Sequence, residues 1–114
     1  MENNQTTLDS VFQALADPTR RAVIQKLTSG PASVKELAEP FDMALPSFMK
    51  HISVLENSGL IQSEKVGRVR TCEIKPKQLS AAEKWINTQT VLWEGRMERM
   101  ANYVEALAAE NKGD

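Results

Sequence analysis

The sequence of 114 residues suits one packed domain, which we place at 1–114, and its 41% of hydrophobic and 25% of charged residues are typical of a globular chain. One cysteine excludes an intrachain disulfide and a zinc site built from several cysteines. The polar N-terminus lacks the layout of a targeting signal, and no segment holds the roughly 20 apolar residues of a membrane span, so we expect a cytoplasmic protein with no membrane partner.

The formal net charge of −1 conceals a basic middle third. Residues 45–78 carry six Lys and Arg against three Asp and Glu, whereas 1–44 and 79–114 each carry four against six. A basic segment of this kind is typical of a chain that binds a polyanion, but an ordinary solvated surface explains the asymmetry equally well. The charge distribution therefore fits both a polyanion-binding segment and a solvated surface.

Two helices are predicted at the start of the chain. Apolar residues at helical spacing predict the first helix over 8–16, and Asp17 with Pro18 then supplies a cap and the residue best suited to a first turn. The second helix is predicted over 18–29, because Gly30 and the proline after it end the helix. The apolar positions of the first helix are Leu8, Val11, Phe12 and Leu15.

A pair of helices joined by a short turn is predicted over 33–58. Ser33 and Glu36 have the spacing of a capping box, which opens the short first helix of the pair. The second helix is predicted from about 45 to 58, and Gly59 follows it where a left-handed cap is wanted. This second helix has one apolar side, formed by Phe48, Ile52 and Leu55.

After this pair the apolar period changes from helical to alternating. The change predicts a β-hairpin over 61–74 that turns at Gly67. Cations at such a tip either protect the edge of a sheet or contact a polyanion. The tip carries Lys65, Arg68 and Arg70. Cys72 lies on the second strand and is expected to be a small, half-buried hydrophobe, with a thiol switch as the alternative.

One long helix is predicted over 77–110. Its length of about 45 Å or more exceeds what a core of short helices covers, so part of its apolar stripe is expected to pack against a second copy of the chain. Packing wholly within one chain is the alternative. Apolar residues recur at intervals of seven along this helix, at Leu79, Ile86, Trp93, Met100 and Leu107.

These elements in this order form the layout of a winged helix-turn-helix, so the expected fold class is mainly α with a small β-hairpin and a long C-terminal dimerisation helix. The segments "VFQALADPTRRAVIQKL", "SVKELAEPFDMALPSFMKHISVLENSGLI" and "EKVGRVRTCEI" resemble the ArsR-type winged helix-turn-helix transcriptional repressors. The resemblance covers residues 8 to about 75. Its specific parts are the Asp-Pro-Thr-Arg-Arg segment and the run that begins Lys-His-Ile.

This resemblance implies a homodimer, formed by the first and last helices, that binds a palindromic operator in double-stranded DNA and represses transcription. The residues that the family pattern places toward base edges are Leu45, Pro46, Met49 and Lys50, with Ser47 and His51 near the DNA backbone. The expected DNA-binding set is completed by Ser53, Lys65, Arg68 and Arg70. The expected dimer interface consists of Leu8, Val11, Phe12, Trp85, Ile86, Trp93, Met97, Met100, Tyr103 and Val104.

Each candidate DNA contact also has a plain structural interpretation. Lys50 fits a solvated surface lysine, and His51 fits a half-buried hydrogen-bonding group. Pro46 and Met49 fit either a tolerant surface or contacts with thymine methyl groups. At the front end of the same helix Ala44 is a poor N-cap, so we hypothesise that a DNA phosphate binds the first-turn amides in the complex.

Many members of the resembled family release DNA when a metal binds, through cysteines in the third helix or through His, Asp and Glu in the last helix. This chain has no cysteine in "VKELAEPF" and no histidine over 77–110, so neither a metal site nor a cofactor is expected. The identity of a small-molecule inducer is left open. An enzyme is not expected, because no nucleophile–base pair accompanies the single histidine. The competing function is a winged-helix protein-interaction module without specific DNA binding.

Overall fold

The computed structural model describes residues 4–112, and this part of the chain forms five helices and three strands. In chain order these are α1 Asn4–Leu15, α2 Pro18–Leu27, β1 Ala32–Ser33, α3 Val34–Ala38, α4 Leu45–Asn57, β2 Ile61–Val66, β3 Val69–Ile74 and α5 Pro76–Lys112. The mainly helical architecture with a small antiparallel sheet confirms the expected fold class. Two compact units divide the chain between Ala82 and Glu83.

Side-chain caps fix where the short helices begin. The N-cap of α2 is Asp17, whose carboxylate accepts a hydrogen bond of 3.1 Å from the backbone N–H of Arg20. The N-cap of α3 is Ser33, and the reciprocal hydrogen bonds of the capping box with Glu36 are both present, as predicted. Helix α1 begins at Asn4, earlier than the predicted start at residue 8, because the residues before the first apolar position are polar and carry no spacing signal.

The predicted hairpin is present, but the sheet has a third strand that the sequence did not indicate. Strands β2 and β3 pair antiparallel, and Gly67 has a φ of +63° in the turn between them. Strand β1 pairs with the other edge of β3, which places Ala32 opposite Cys72. A two-residue strand is too short to show an alternating pattern, so only the pairing with β3 identifies it.

A single hydrophobic core lies within the first unit, which ends at Ala82. It joins α1, α2 and α4 to the start of the sheet, and its largest fully buried side chains are Val11, Val23, Leu37, Phe48, Ile52, Leu55, Leu60, Ile61 and Cys72. Each buried Leu, Ile or Phe contributes about 1.5–3 kcal/mol relative to an exposed one. Burial of Val11 corrects its prediction as a dimer contact, because a side chain that is 0% exposed in its own core has no surface to offer a second copy.

The end of α4 shows how the core determines the connection to the sheet. The N–H of Leu60 donates to the carbonyl of Leu55 at 3.1 Å, and the N–H of Gly59 donates to the carbonyl of Glu56 at 3.0 Å. This pair of hydrogen bonds is a Schellman motif, with Gly59 in the left-handed region at a φ of +81°. The motif directs the buried Leu60 into the core and starts β2 at Ile61.

The second unit consists of the part of α5 that follows Ala82. Large apolar side chains along this segment are exposed, among them Trp93 at 59%, Met100 at 59% and Tyr103 at 65%. The other exposed apolar residues of the segment are Trp85, Ile86, Val91, Leu92, Met97, Val104 and Leu107. None of the described helices combines the length and the apolar character that crossing a membrane requires.

Candidate nucleic-acid interface

Helix α4 has a buried side and an exposed side. Phe48, Ile52 and Leu55 are each 0% exposed and anchor the helix in the core. Five of the predicted DNA contacts lie on the exposed side, namely Leu45, Pro46, Ser47, Lys50 and Ser53. The inward side therefore holds the helix rigidly, while the outward side presents a lysine, two hydroxyl groups and two apolar groups to an external partner.

The front end of α4 has no side-chain cap. Ala44 is the N-cap residue and makes no side-chain hydrogen bond, as the sequence indicated, and Pro46 has no N–H to donate. The first backbone hydrogen bond of the helix runs from the N–H of Phe48 to the carbonyl of Ala44 at 3.1 Å. The N–H groups of Leu45 and Ser47 thus lie at the positive end of the helix dipole, where an anion is stabilised.

A cleft of about 1010 Å³ lies between α3, the front of α4 and the inner face of the hairpin. Its apolar wall includes Val34, Ala38, Phe41, Leu45 and Met49, and its cationic wall includes Lys65, Arg68 and Arg70. The predicted outward orientation of Met49 is corrected here: this side chain is half-buried and packs against the core while also lining the cleft. The cleft is therefore apolar on one side and positively charged on the other.

The three cations of the hairpin have different surroundings. Lys65 and Arg70 are paired across β2 and β3, and Arg68 is in the turn. Nη1 of Arg70 donates to Oγ of Ser63 at 2.9 Å, and this hydroxyl donates to a carboxylate oxygen of Glu56 on α4 at 2.6 Å. Lys65 and Arg68 are exposed, whereas Arg70 is half-buried and fastens the hairpin to α4.

His51 lies on the flank of α4, and its contacts reach α2. Nη1 of Arg20 is 3.0 Å from Nδ1 of His51, and the carboxylate of Asp17 is 3.8 Å from the same nitrogen. Arg20 also donates to two carbonyls at the end of α1, those of Ala14 at 2.7 Å and Gln13 at 3.1 Å. The sequence pattern treats Asp17 and Arg20 as a helix boundary, and only the fold brings them to the candidate DNA-binding helix.

Cys72 is fully buried in the middle strand of the sheet. Desolvation raises the pKa of its thiol, the charge of Glu56 adds to this effect, and Arg70 opposes it. A buried thiol with a raised pKa forms little thiolate, so Cys72 behaves as a small hydrophobe. Among the described residues, no cluster of three or more His, Cys, Asp or Glu side chains has the arrangement of a metal site.

Known proteins resemble the chain in sequence and in structure. A helix-turn-helix domain family matches residues 15–64. The HTH-type transcriptional regulator Rv2034 of Mycobacterium tuberculosis is 37% identical over 73 residues, which are 64% of this chain and 68% of that protein. The crystal structure of the ArsR family transcriptional regulator RHA00566 is 58% identical, with a TM-score of 0.77 over 82% of this chain and 97% of that one. The chain belongs to the ArsR family.

Membership of the ArsR family confirms the resemblance drawn from the three sequence segments, and it makes the protein a DNA-binding transcriptional regulator. An ArsR-like regulator from Rhodococcus sp. RHA1 also shares the fold, at 27% identity and a TM-score of 0.70 over 84% of this chain and 91% of that one. The matched residues 15–64 of the helix-turn-helix domain contain Asp17, Arg20 and His51. The contact of Arg20 with α4 therefore lies inside the segment that matches the helix-turn-helix family.

Proposed function

We propose that this ArsR-family regulator is a homodimeric repressor whose α4 enters the major groove of a palindromic operator while the hairpin contacts the adjacent backbone. The proposal is supported above all by one observation, that the front of α4 and the hairpin cations line the same cleft. A helix in the major groove and a hairpin beside it leave the sugar–phosphate strand between them. That strand is anionic, and Lys65, Arg68 and Arg70 line the space it would occupy.

Base recognition in this proposal belongs to the exposed side of α4. Lys50 donates to a guanine edge or a phosphate, and the apolar groups of Leu45 and Pro46 contact thymine methyl groups. Leu45 is 57% exposed, which is unusual for a leucine beside a packed core. Because only one long cation lies on the outward side of α4, methyl contacts and DNA shape should contribute more to specificity than paired hydrogen bonds from arginine.

The homodimer is supported by the apolar surface of α5. Large apolar surfaces that are exposed mark interaction sites, because monomeric proteins rarely expose them. One structural neighbour from Mycobacterium bovis, described as a homodimeric winged helix-turn-helix DNA-binding domain, is 20% identical with a TM-score of 0.59 over 82% of this chain and 90% of that one. Leu8 and Phe12 of α1, together with the predicted residues of α5, form the proposed interface.

A charge in the proposed interface tests the dimer. Trp93→Glu should shift the protein from dimer to monomer in size-exclusion chromatography with light scattering, because the indole is 59% exposed in its own unit and a carboxylate is costly to bury between chains. Asn102→Glu is the matched control, since nine residues further along α5 it lies on the opposite side of the helix. A wild-type protein that is monomeric at micromolar concentration contradicts the proposal.

Repression is proposed from the named function of a relative, and operator symmetry is proposed from the dimer. Among the relatives, SdpR of Bacillus subtilis is named a transcriptional repressor and is 27% identical over 69% of this chain and 88% of that protein. A two-fold dimer with one α4 per half-site requires half-sites one helical turn apart, roughly 34–36 Å, or a multiple of it. Such a repressor works in the cytoplasm, in contact with the DNA it regulates.

DNA binding is tested with genomic fragments selected by the wild-type protein. Binding should weaken steeply as salt rises, and Lys50→Ala should reduce affinity by about tenfold or more, because one good base or phosphate contact is worth about 1–3 kcal/mol. Glu110→Ala, an exposed change on α5, should leave affinity unchanged. Salt-insensitive binding, or failure to select any fragment, would support the protein-interaction module instead.

A further inference from the structure

Arg20 joins three helices through one guanidinium group. Its Nε and Nη2 donate to the carbonyls of Ala14 and Gln13 at the end of α1, so the plane of the guanidinium is fixed by two hydrogen bonds of 2.7 and 3.1 Å. The third nitrogen, Nη1, reaches across to α4 and lies 3.0 Å from Nδ1 of His51. The carbonyls thus hold Arg20 in place, and Arg20 in turn holds the imidazole.

The chemistry of this contact determines the protonation of the ring. A guanidinium group has only N–H donors, so a hydrogen bond between Nη1 of Arg20 and Nδ1 of His51 requires Nδ1 to accept. An accepting Nδ1 has no proton, and the neutral ring then carries its proton on Nε2. The carboxylate of Asp17 would favour a proton on Nδ1, but its oxygen lies 3.8 Å away, beyond hydrogen-bond distance, whereas Nη1 of Arg20 is 3.0 Å away.

The remaining nitrogen of the ring, Nε2, takes no part in the contact with Arg20, which Nδ1 makes. Within the described residues no buried side-chain nitrogen or oxygen lacks a hydrogen-bond partner. The side chain of His51 is 22% exposed, which suits a ring with one edge inside the protein and one outside. The outer edge therefore offers a single N–H donor on the flank of α4, one residue from Lys50.

We propose that Arg20 is a positioning residue for DNA binding: it holds His51 as the neutral Nε2–H tautomer, oriented so that this N–H donates to a phosphate of the DNA backbone. The inference rests on the proposed placement of α4 against DNA. It gives the Asp-Pro-Thr-Arg segment a part in binding although Arg20 itself does not touch the DNA. It also gives a role to the neutral Nε2–H of His51 beside the charged Lys50. A directional hydrogen bond from this N–H to a phosphate fixes the position of α4 along the DNA backbone.

A double-mutant cycle separates positioning from general stabilisation. Affinity is measured by fluorescence anisotropy for a labelled duplex chosen from genomic fragments by the wild-type protein. Arg20→Gln and His51→Ala should each weaken binding by about tenfold, as the loss of one well-formed hydrogen bond does. Arg20→Gln should add almost nothing in the His51→Ala background. Fully additive losses overturn the inference, because they mean that Arg20 acts without His51.

Two conservative replacements test which nitrogen matters. The amide N–H of Gln reaches the position of Nε2, whereas that of Asn reaches only the position of Nδ1. His51→Gln should therefore retain more affinity than His51→Asn, and the reverse order contradicts the inference. If the wild-type protein selects no duplex at all, the proposed function fails, whereas additive losses on a duplex that the wild-type protein binds defeat only the role of Arg20.

The unbound protein provides a readout that does not depend on DNA or on the folding of a variant. His51 is the single histidine of the chain, so the ring nitrogens give one set of NMR signals without assignment by mutation. Nitrogen–proton correlations of the wild-type ring should show the proton on Nε2 and an unprotonated Nδ1. A protonated Nδ1 in the neutral ring overturns the inference, because the Arg20 contact is then impossible.

Discussion

Nη1 of Arg70 lies 2.9 Å from Oγ of Ser63 on the neighbouring strand. This hydrogen bond continues to Glu56 on α4, so Arg70 connects the hairpin to the helix that is proposed to enter the major groove. Arg68, one strand residue away from this network, is exposed in the turn. Two arginines that look equivalent in the sequence therefore have different surroundings, because Arg70 is held in a hydrogen-bond network and Arg68 is exposed.

Replacing the two arginines should have different effects. Arg68→Ala should leave the free energy of unfolding unchanged. It should make the negative slope of log affinity against log salt shallower by about one, because one phosphate contact is lost. Arg70→Ala should lower the free energy of unfolding by about 1 kcal/mol, the usual net value of such a hydrogen bond. Urea denaturation and salt titration of DNA binding measure both quantities. Equal stability of the two variants would show that the Ser63 contact contributes nothing.

The Asp17 cap should make part of the stability depend on pH. Desolvation on its own raises the pKa of the Asp17 carboxyl, but the Arg20 backbone hydrogen bond, the charge that His51 carries when it is protonated, and the charge of Arg20 together lower the pKa below its ordinary value. Because the pKa of Asp17 is lower in the folded state, its ionised carboxylate adds to the free energy of unfolding at any pH above the unfolded-state pKa of about 4. This contribution is lost as the pH falls through the folded-state pKa. The ionised carboxylate of Asp17 therefore stabilises the folded protein at neutral pH.

The test compares Asp17→Ala with Asp17→Asn. At pH 7 Asp17→Ala should reduce the free energy of unfolding by about 1 kcal/mol, the usual loss for an N-cap, and its difference from the wild type should shrink below about pH 4. Asp17→Asn keeps a capping oxygen without the charge, so its stability should be intermediate at pH 7. Urea denaturation at several pH values gives these numbers, and a difference that grows in acid would contradict the assignment.

Ala44 tests whether DNA satisfies the front of α4. Ala44→Ser should raise the free energy of unfolding by about 1 kcal/mol, because the hydroxyl accepts from a first-turn amide. The same hydroxyl should weaken DNA binding, since it occupies the amide that a phosphate would bind. Ala44→Gly is the matched control, as glycine is also a better N-cap than alanine but leaves the amides open. Greater stability of Ala44→Ser with unchanged DNA affinity counts against the phosphate site.

Two glycines with positive φ should respond differently to the same change. Gly59 has a φ of +81°, and an added Cβ would lie 2.9 Å from Cγ of Gln78, whereas Gly67 has a φ of +63° and nothing within 4 Å. Gly67→Ala should therefore cost only the left-handed backbone strain, about 1 kcal/mol, and Gly59→Ala about 2 kcal/mol or more. Urea denaturation measures both. Equal losses would show that Gln78 moves aside at no cost.

Features that depend on neighbouring residues were predicted from the sequence. The caps at Asp17 and Ser33, the uncapped front of α4 and the turn at Gly67 all follow from residues within a few positions of each other, because caps and turns are local hydrogen-bonded structures. The resemblance to the ArsR family rests on the same segments. The sequence also marked the apolar stripe of α5 by its spacing, and this stripe is exposed in its unit.

The tertiary structure decided the features that depend on residues far apart in the chain. Arg20 meets His51 across 31 positions, and β1 pairs with β3 although Ala32 and Cys72 are distant in sequence. Val11 is buried and Met49 lines the cleft because of the direction in which α1 and α4 pack. Local patterns specify each helix and strand, but only packing selects which side chains meet. For that reason the sequence by itself determined the family, the helices and the hairpin of this protein, whereas only the fold brought Arg20 into contact with His51 on the candidate DNA-binding helix.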